Sequence, residues 1–356
     1  MALFGWLARW VWVLALVTQL AACGDKKPIV SESFVFGTRV EVQVADDLPE
    51  SRARAAVAQV LAEFDRLHRT YHAWQPSELT QLNDALVAGR AVRVNPEMAD
   101  LLLEAQAYTQ QSEALFDPGI GRLIALWGFH ADTYAEHLPD VAAIQNWLKT
   151  HPSMRQLQIQ KDSSGAWVRT TNDQVALDFG GSLKGKALDR AAAILRAAGV
   201  QNALINIGGN VMALGNRDGA AWRVAIQAPR NAGPMAILEL HDGEATGTSG
   251  DYQRYFEVDG KRYPHLLDPR TGYPASGTQA VTIVVGGPNA GVRSDVLTKP
   301  VFIAGEAGWQ AMARLLGVSQ VLRVNDQGRV DVTAGLADRL KFMPHDGKLP
   351  DIRRIE

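Results

Sequence analysis

The chain has 356 residues, 47% hydrophobic and 21% charged, an ordinary folded composition with room for one large domain or two smaller ones. Lys plus Arg number 36 against 38 Asp plus Glu, a net charge of −2, so there is no broad basic field of the kind that wraps nucleic acid. The single cysteine excludes an internal disulfide and any multi-cysteine zinc or iron–sulfur centre.

The first residues form a separate unit. A lightly charged start is followed by the apolar run Trp10–Leu20, then by Leu20-Ala21-Ala22-Cys23 and the polar Gly24-Asp25-Lys26-Lys27. A short apolar core ending in small residues is the pattern of a secretory signal. With cysteine directly after the small residues it resembles a bacterial lipoprotein signal, in which Cys23 is lipidated and becomes the new N-terminus. A plain membrane anchor is the other reading, but the apolar run is shorter than the ~20 residues a span needs. The expected organisation is a signal peptide over 1–22, a lipidated tether over 23–33, one domain over 34–345 and a tail over 346–356.

Ser33–Val44 alternates apolar and polar residues and predicts a strand. Pro49 and Ser51 open a helix running to about His68, with Ala56, Val57, Val60, Phe64 and Leu67 on one face. Helices are also predicted from Pro96 to about Ser112 and over Val141–Lys149. The second half is strand-rich, with apolar runs at 203–207, 222–227, 235–240, 252–258 and 279–285. Helical patterns at 183–199, about 289–299 and 306–316 interrupt them. Clustered strands between helices predict an α+β fold of mainly antiparallel sheet with flanking helices.

Three glycine-containing clusters offer chemistry. Asp178-Phe179-Gly180-Gly181-Ser182-Leu183-Lys184-Gly185-Lys186 lies between a strand and a helix, where bare backbone N–H groups approach a phosphate at the helix's positive end. A P-loop requires Ser or Thr after Lys186, and Ala187 stands there. A tight strand–helix packing turn explains the same glycines. Asn206-Ile207-Gly208-Gly209-Asn210 alone reads as a turn between strands. The third cluster is Thr248-Ser249-Gly250-Asp251-Tyr252 followed by His265-Leu266-Leu267-Asp268-Pro269-Arg270-Thr271-Gly272. Its Asp-Pro-Arg-Thr-Gly is a turn by chemistry. A lone histidine before a turn is commonly structural, but this one shares a short window with Ser249, Asp251, Asp268 and Arg270.

Together these segments resemble the ApbE-type FAD:protein FMN transferases, whose DLGGIAKG, NIGGD, TSGDY and HIIDPRTG motifs they match in order. Leu115-Phe116-Asp117-Pro118 with Leu126-Trp127-Gly128-Phe129 resembles FDP…LWGF. Phe36-Gly37-Thr38 resembles the N-terminal MGT, Trp74–Asn83 the segment ending SE…LN, and Ser294-Asp295-Val296-Leu297 the family's ADAL. The matches run from about residue 34 to 305.

The resemblance implies an α+β domain with T-fold-like elements, facing the periplasm of a bacterial cell envelope. It would move the FMN half of FAD onto a protein hydroxyl, usually of threonine, leaving a phosphoester and AMP. Acceptors would be subunits of membrane redox complexes or extracytoplasmic flavoproteins. By position, Asp295, the Gly181 carbonyl and Thr298 would ligate magnesium, and Lys184 would contact the phosphates. Asp178 would hold the flavin or its ribityl chain. Phe36, Trp74, Phe116, Asp117, Pro118 and the backbone at Leu267 would line the FAD pocket. His265 is the candidate general base, because imidazole titrates near neutral pH.

Departures from the family pattern bear on these roles. Lys299 stands where a metal-binding threonine is usual; it would be a solvated helix residue or a cation that neutralises the diphosphate directly, with Thr298 the alternative oxygen donor. Phe36 replaces a methionine, and Asn210 an acidic residue. Asp242-Gly243-Glu244-Ala245-Thr246 faintly resembles a flavin acceptor and reads as the turn and strand leading to Thr248. Two alternatives to the transferase share the same site: a non-catalytic FAD-binding lipoprotein, and a pyrophosphatase giving FMN and AMP.

Overall fold

A computed structural model describes residues 28–131, 133–134 and 136–356. The signal segment and Cys23 lie outside these residues. The centre is a nine-stranded sheet whose strands run, in spatial order, Ile29–Val35, Thr38–Val44, Ala203–Ile207, Asn210–Leu214, Ala245–Gly250, Thr278–Val285, Val321–Asn325, Val330–Thr333 and Ile352–Ile355. All neighbours pair antiparallel except the last two, which are parallel.

The strand Thr278–Val285 shows why both faces are covered. All eight of its residues are buried. Alternate side chains point to opposite faces: Val281 and Ile283 enter the larger core, Ala280 and Val284 a second one. On the first face pack the helices Glu50–Thr70 and Leu183–Ala197, with the short helices Ala290–Val296 and Thr298–Ile303. The second face is closed by a three-stranded sheet of Trp222–Gln227, Pro234–Leu240 and Leu340–Phe342. A third, aromatic cluster joins Trp127, Phe129, Trp147, Phe256 and Leu267 beside the main body. The mixed fold with mostly antiparallel sheets agrees with the sequence expectation.

Several boundaries differ, each for a local reason. Ser33–Val44 is the end of the first arm, the turn and the second arm of a hairpin, because Phe36 and Gly37 both have positive φ (57° and 68°) and turn the chain between Val35 and Thr38. Its first arm begins at Ile29, inside the 23–33 segment expected as a tether. The helix expected at about 289–299 is two, Ala290–Val296 and Thr298–Ile303; Pro300 has no N–H to give the Val296 carbonyl. The expected strand 252–258 begins only at Tyr255. The segment 346–356 is no loose tail, since Ile352–Ile355 pairs with Val330–Thr333 at the sheet's edge.

Candidate active site

A cleft of about 1070 Å³, counted with its open mouth, lies where the Thr248–Gly250 end of the central strand meets the start of the helix Leu183–Ala197. One wall is apolar: Trp74, Phe116, Pro118, Ile120 and Leu267. Polar and charged side chains also line the cleft: Asp178, Lys184, Arg254, His265 and Lys299. An elongated ligand with an aromatic part and an anionic part matches that division.

The apolar wall is built by capped turns. Trp74 precedes the helix Glu78–Val87, whose N-cap Ser77 forms a reciprocal capping box with Thr80. His72 Nδ1 accepts from the backbone N–H of Gln75 at 3.1 Å, and its ring stands edge-on to Trp74 at 5.0 Å. Asp117 is buried, with Oδ1 accepting from Gly119 N (2.8 Å) and Met154 N (2.9 Å) and Oδ2 from the Ser153 hydroxyl. Its carboxylate is therefore committed to holding Phe116 and Pro118 in the wall. Burial pushes its pKa up, and those three hydrogen bonds oppose the shift.

The glycine turn presents the anionic end. Asp178 Oδ1 accepts from Gly180 N at 2.7 Å, and the N–H groups of Ser182 and Leu183 reach Phe179 O at 2.9 Å. The chain thus enters the 15-residue helix Leu183–Ala197 with Lys184 in its first turn and no acidic residue there. A cation at a helix N-terminus opposes the dipole, so the arrangement favours a bound anion. Lys184 makes no hydrogen bond or close ion pair among the described residues.

Glycine also brings Asp295 to this place. A Cβ on Gly185 would lie 2.6 Å from Val292 Cα and 2.7 Å from Asp295 Cβ, so only glycine lets the two helices touch. Gly185 N then donates to Asp295 Oδ2 at 2.9 Å. On the same helix, Asp189 accepts from Gly291 N and Val292 N (2.8 and 2.9 Å) and fixes the start of Ala290–Val296. The Asp295 side chain is 1% exposed, and its Oδ1 takes the ammonium of Lys299. Lys299 Nζ also donates to the Asp295 carbonyl at 2.7 Å. Burial acts to raise the Asp295 carboxyl, but Lys299 and Lys184 outweigh it and hold it below the usual range.

His265 faces the cleft from the loop before Leu267–Asp268. Its Nδ1 lies 3.0 Å from the Arg254 carbonyl, which can only accept, so Nδ1 carries the proton and Nε2 presents a lone pair. Burial first, then the Arg254 guanidinium, lowers its pKa to about 3. The imidazole is neutral at physiological pH, for a different reason from the near-neutral titration expected from sequence. Phe129 stands edge-on to it at 6.3 Å, within a wall where Trp127 stacks on Phe256 and Tyr263. Trp127 Nε1 donates to Gly272 O at 2.8 Å, pinning the Asp-Pro-Arg-Thr-Gly turn, and Asp268 pairs with Arg270 inside that turn.

The structure gathers Trp74, Phe116, Asp117, Pro118, Asp178, Gly181, Lys184, His265 and Leu267 around one cleft. Phe36 does not line it; its ring packs on Phe64 and His68 at 6.0 and 5.7 Å. Asn210 is buried in the sheet, and the Gly208-Gly209 pair is a two-residue hairpin turn. Thr246 is buried mid-sheet, which removes it as a flavin acceptor. Arg254 was not foreseen. It holds Tyr134 OH and the Phe129 carbonyl and adds a third cation to the cleft, in a loop the sequence pattern assigned to a strand.

The expected magnesium set does not come together. Such an ion takes six oxygens, one or two of them carboxylate. Asp295 has both carboxylate oxygens engaged, one by Gly185 N and one by Lys299. Thr298 does not line the cleft; its hydroxyl donates to the Asp295 carbonyl at 2.7 Å and lies 2.8 Å from Ser249 Oγ. Among the described residues no group of three or more His, Cys, Asp or Glu converges on a point that would hold a metal. The donors present do not fit magnesium.

Fold and site together define an α+β protein with one cleft lined by both aromatic and cationic side chains. Residues 36–322 match the model of the ApbE family, and the chain belongs to that family. It is 40% identical over 335 residues to an FAD:protein FMN transferase of Rhodobacter capsulatus, covering 92% of this chain but only 62% of that longer protein. A protein of the same name from Haemophilus influenzae is 28% identical, over 82% of this chain and 86% of its own. The crystal structure of the ApbE protein from Thermotoga maritima superposes with a TM-score of 0.79 at 29% identity, covering 88% of this chain and 99% of the other. The apo form of Pseudomonas stutzeri flavinyl transferase ApbE gives 0.75 at 28% identity, over 88% and 96%.

Proposed function

We propose that this chain transfers the FMN moiety of FAD to a threonine or serine hydroxyl of an acceptor protein. The observation that carries the reading is the neutral His265, with Nε2 presented to the same cleft as Lys184, Lys299 and Arg254. The apolar wall at Trp74, Phe116 and Pro118 takes the isoalloxazine ring, and the cations take the diphosphate. His265 Nε2 accepts the hydroxyl proton as the acceptor oxygen attacks the FMN-side phosphorus. The bond from that phosphorus to the bridging oxygen breaks, and AMP leaves with that oxygen. One phosphoester forms, one phosphoanhydride is cleaved, and no electrons change hands. Lys184 at the helix start and Arg254 offset the charge shifted onto the leaving phosphate.

The lipoprotein-like segment supports a further part of the proposal: lipidation at Cys23, attachment to a bacterial membrane and a site facing the periplasm. Acceptors there would be membrane redox subunits or extracytoplasmic flavoproteins. No helix among the described residues is long and apolar enough to cross a membrane.

The test incubates the purified chain with FAD and a threonine-containing acceptor domain, reading acceptor mass and AMP together. The acceptor gains one FMN less water, in step with AMP release, and loses that gain with His265→Ala. AMP and free FMN without acceptor modification would instead establish a pyrophosphatase; bound, intact FAD would establish a binder.

A further inference from the structure

We infer that the ammonium of Lys299 takes the place of the divalent cation in this active site, so that the chain binds and cleaves FAD without a metal. The inference rests on the transferase reading for the reaction and on Lys299's own contacts for the cation. Lys299 is the residue between the buried Asp295 and the cleft: it lines the cleft, and Asp295 does not. Its side chain is 13% exposed, so it is not a solvated helix lysine.

The ammonium meets two oxygens of one residue, Asp295 Oδ1 and the Asp295 carbonyl at 2.7 Å. An ammonium has three N–H donors. Two are spent on Asp295, and the third remains for a phosphate oxygen. Gly181 of the glycine turn lies beside this ammonium's stem: a Cβ there would stand 3.6 Å from Lys299 Cε and 3.3 Å from Phe116 Cε2. The carboxylate that would anchor a metal thus anchors a covalently tethered cation. A single positive charge replaces two, and Lys184 and Arg254 in the same cleft supply the rest. Thr298, turned back onto Asp295 and Ser249, braces this unit from behind.

The experiment uses the full chain, stripped with EDTA and desalted, with FAD affinity read by fluorescence quenching and turnover by AMP release in the presence of a threonine-containing acceptor domain. Magnesium binding to the stripped protein is measured separately by calorimetry, with and without FAD. The expected wild-type result is FAD affinity and turnover in EDTA within about twofold of those in millimolar magnesium, and no saturable magnesium binding. Lys299→Met removes the ammonium altogether, and with it the donor to phosphate, and weakens FAD binding about 10- to 100-fold, at least the loss of one charge-assisted hydrogen bond. Lys299→Thr frees Asp295 Oδ1 and becomes magnesium-responsive.

Stoichiometric magnesium binding by wild type, with FAD binding or turnover lost in EDTA and restored by the metal, would overturn the inference. Wild-type data alone decide it if the variants do not fold, which circular dichroism reports. Intact FAD bound equally well with and without EDTA, and never turned over, would overturn the transferase reading while leaving Lys299 as the cation.

Discussion

His265 behaves unlike an ordinary surface histidine, and the consequence is measurable. The folded protein takes up its proton only near pH 3, whereas the unfolded chain does so near 6.5. Between those values the unfolded state holds the extra proton, so stability falls as pH falls through the window, and the contribution is complete above pH 6.5. In kinetics, the acid limb of kcat/KM, which reports the free enzyme, lies well below pH 6. The limb of kcat lies higher, because bound diphosphate favours the imidazolium. His265→Asn lowers turnover by about 100-fold or more, the worth of a general base, with FAD affinity little changed. An acid limb of kcat/KM near 6.5 that disappears in this variant would mean that His265 is solvated in the free enzyme. At this scale the sequence disclosed residues sitting in dense motifs: His265, Lys184, Asp178 and Trp74. Arg254 was hidden because a single arginine in a polar loop carries no periodicity. Phe36 was misplaced because a positive φ at an aromatic residue cannot be read from its letter.

Two helices touch at one glycine, and the site depends on that contact. Gly185→Ala adds a Cβ that meets Val292 Cα and Asp295 Cβ, both backbone or short side chain with little room to give. Overpacking of this kind costs about 1–3 kcal/mol, against roughly 1 kcal/mol gained from helix propensity. The expected outcome is a lowered Tm together with weakened FAD binding, because the helix Ala290–Val296 carries Asp295 and leads into Lys299. Thermal unfolding and FAD titration on the same sample check it; a raised Tm with unchanged affinity would show that the helices separate freely. Helices with strong apolar periodicity, such as Glu50–Thr70 and Pro96–Gln111, were legible almost to their ends. The capping devices that aim the site were less so. Asp189 reaches across to the N–H groups of Gly291 and Val292, a contact between residues 102 and 103 positions apart, which no local pattern records.

The nine-stranded sheet ends on a strand that composition placed outside the domain. Ile352–Ile355 has three exposed residues and one partly buried, so it lacks the apolar run that marked the inner strands. Its place is fixed by charge and by backbone pairing. Arg353 Nε donates to Asp331 Oδ1 at 2.7 Å, and Asp331 is wholly buried beside the equally buried Arg323. Glu306 joins Arg323 from the helix Gly305–Leu315, so the edge strand closes an ion network at the end of the molecule remote in sequence from the glycine turn. Deleting residues 346–356 strips one partner from Asp331 and exposes the backbone edge of Val330–Thr333 to solvent and to other chains. The deletion is expected to lower Tm and to produce concentration-dependent aggregation on heating. FAD affinity below the transition stays within about twofold, since no residue of the cleft is removed and distant sites add independently. Light scattering during a thermal ramp, beside FAD titration at low temperature, separates the two effects. An unchanged Tm would return 346–356 to the status of a tail. A large loss of FAD affinity below the transition would mean that the ion network also holds the strand Thr278–Val285 against the helix bearing Lys299, since Arg323 donates to Thr278 Oγ1 and the Gly277 carbonyl.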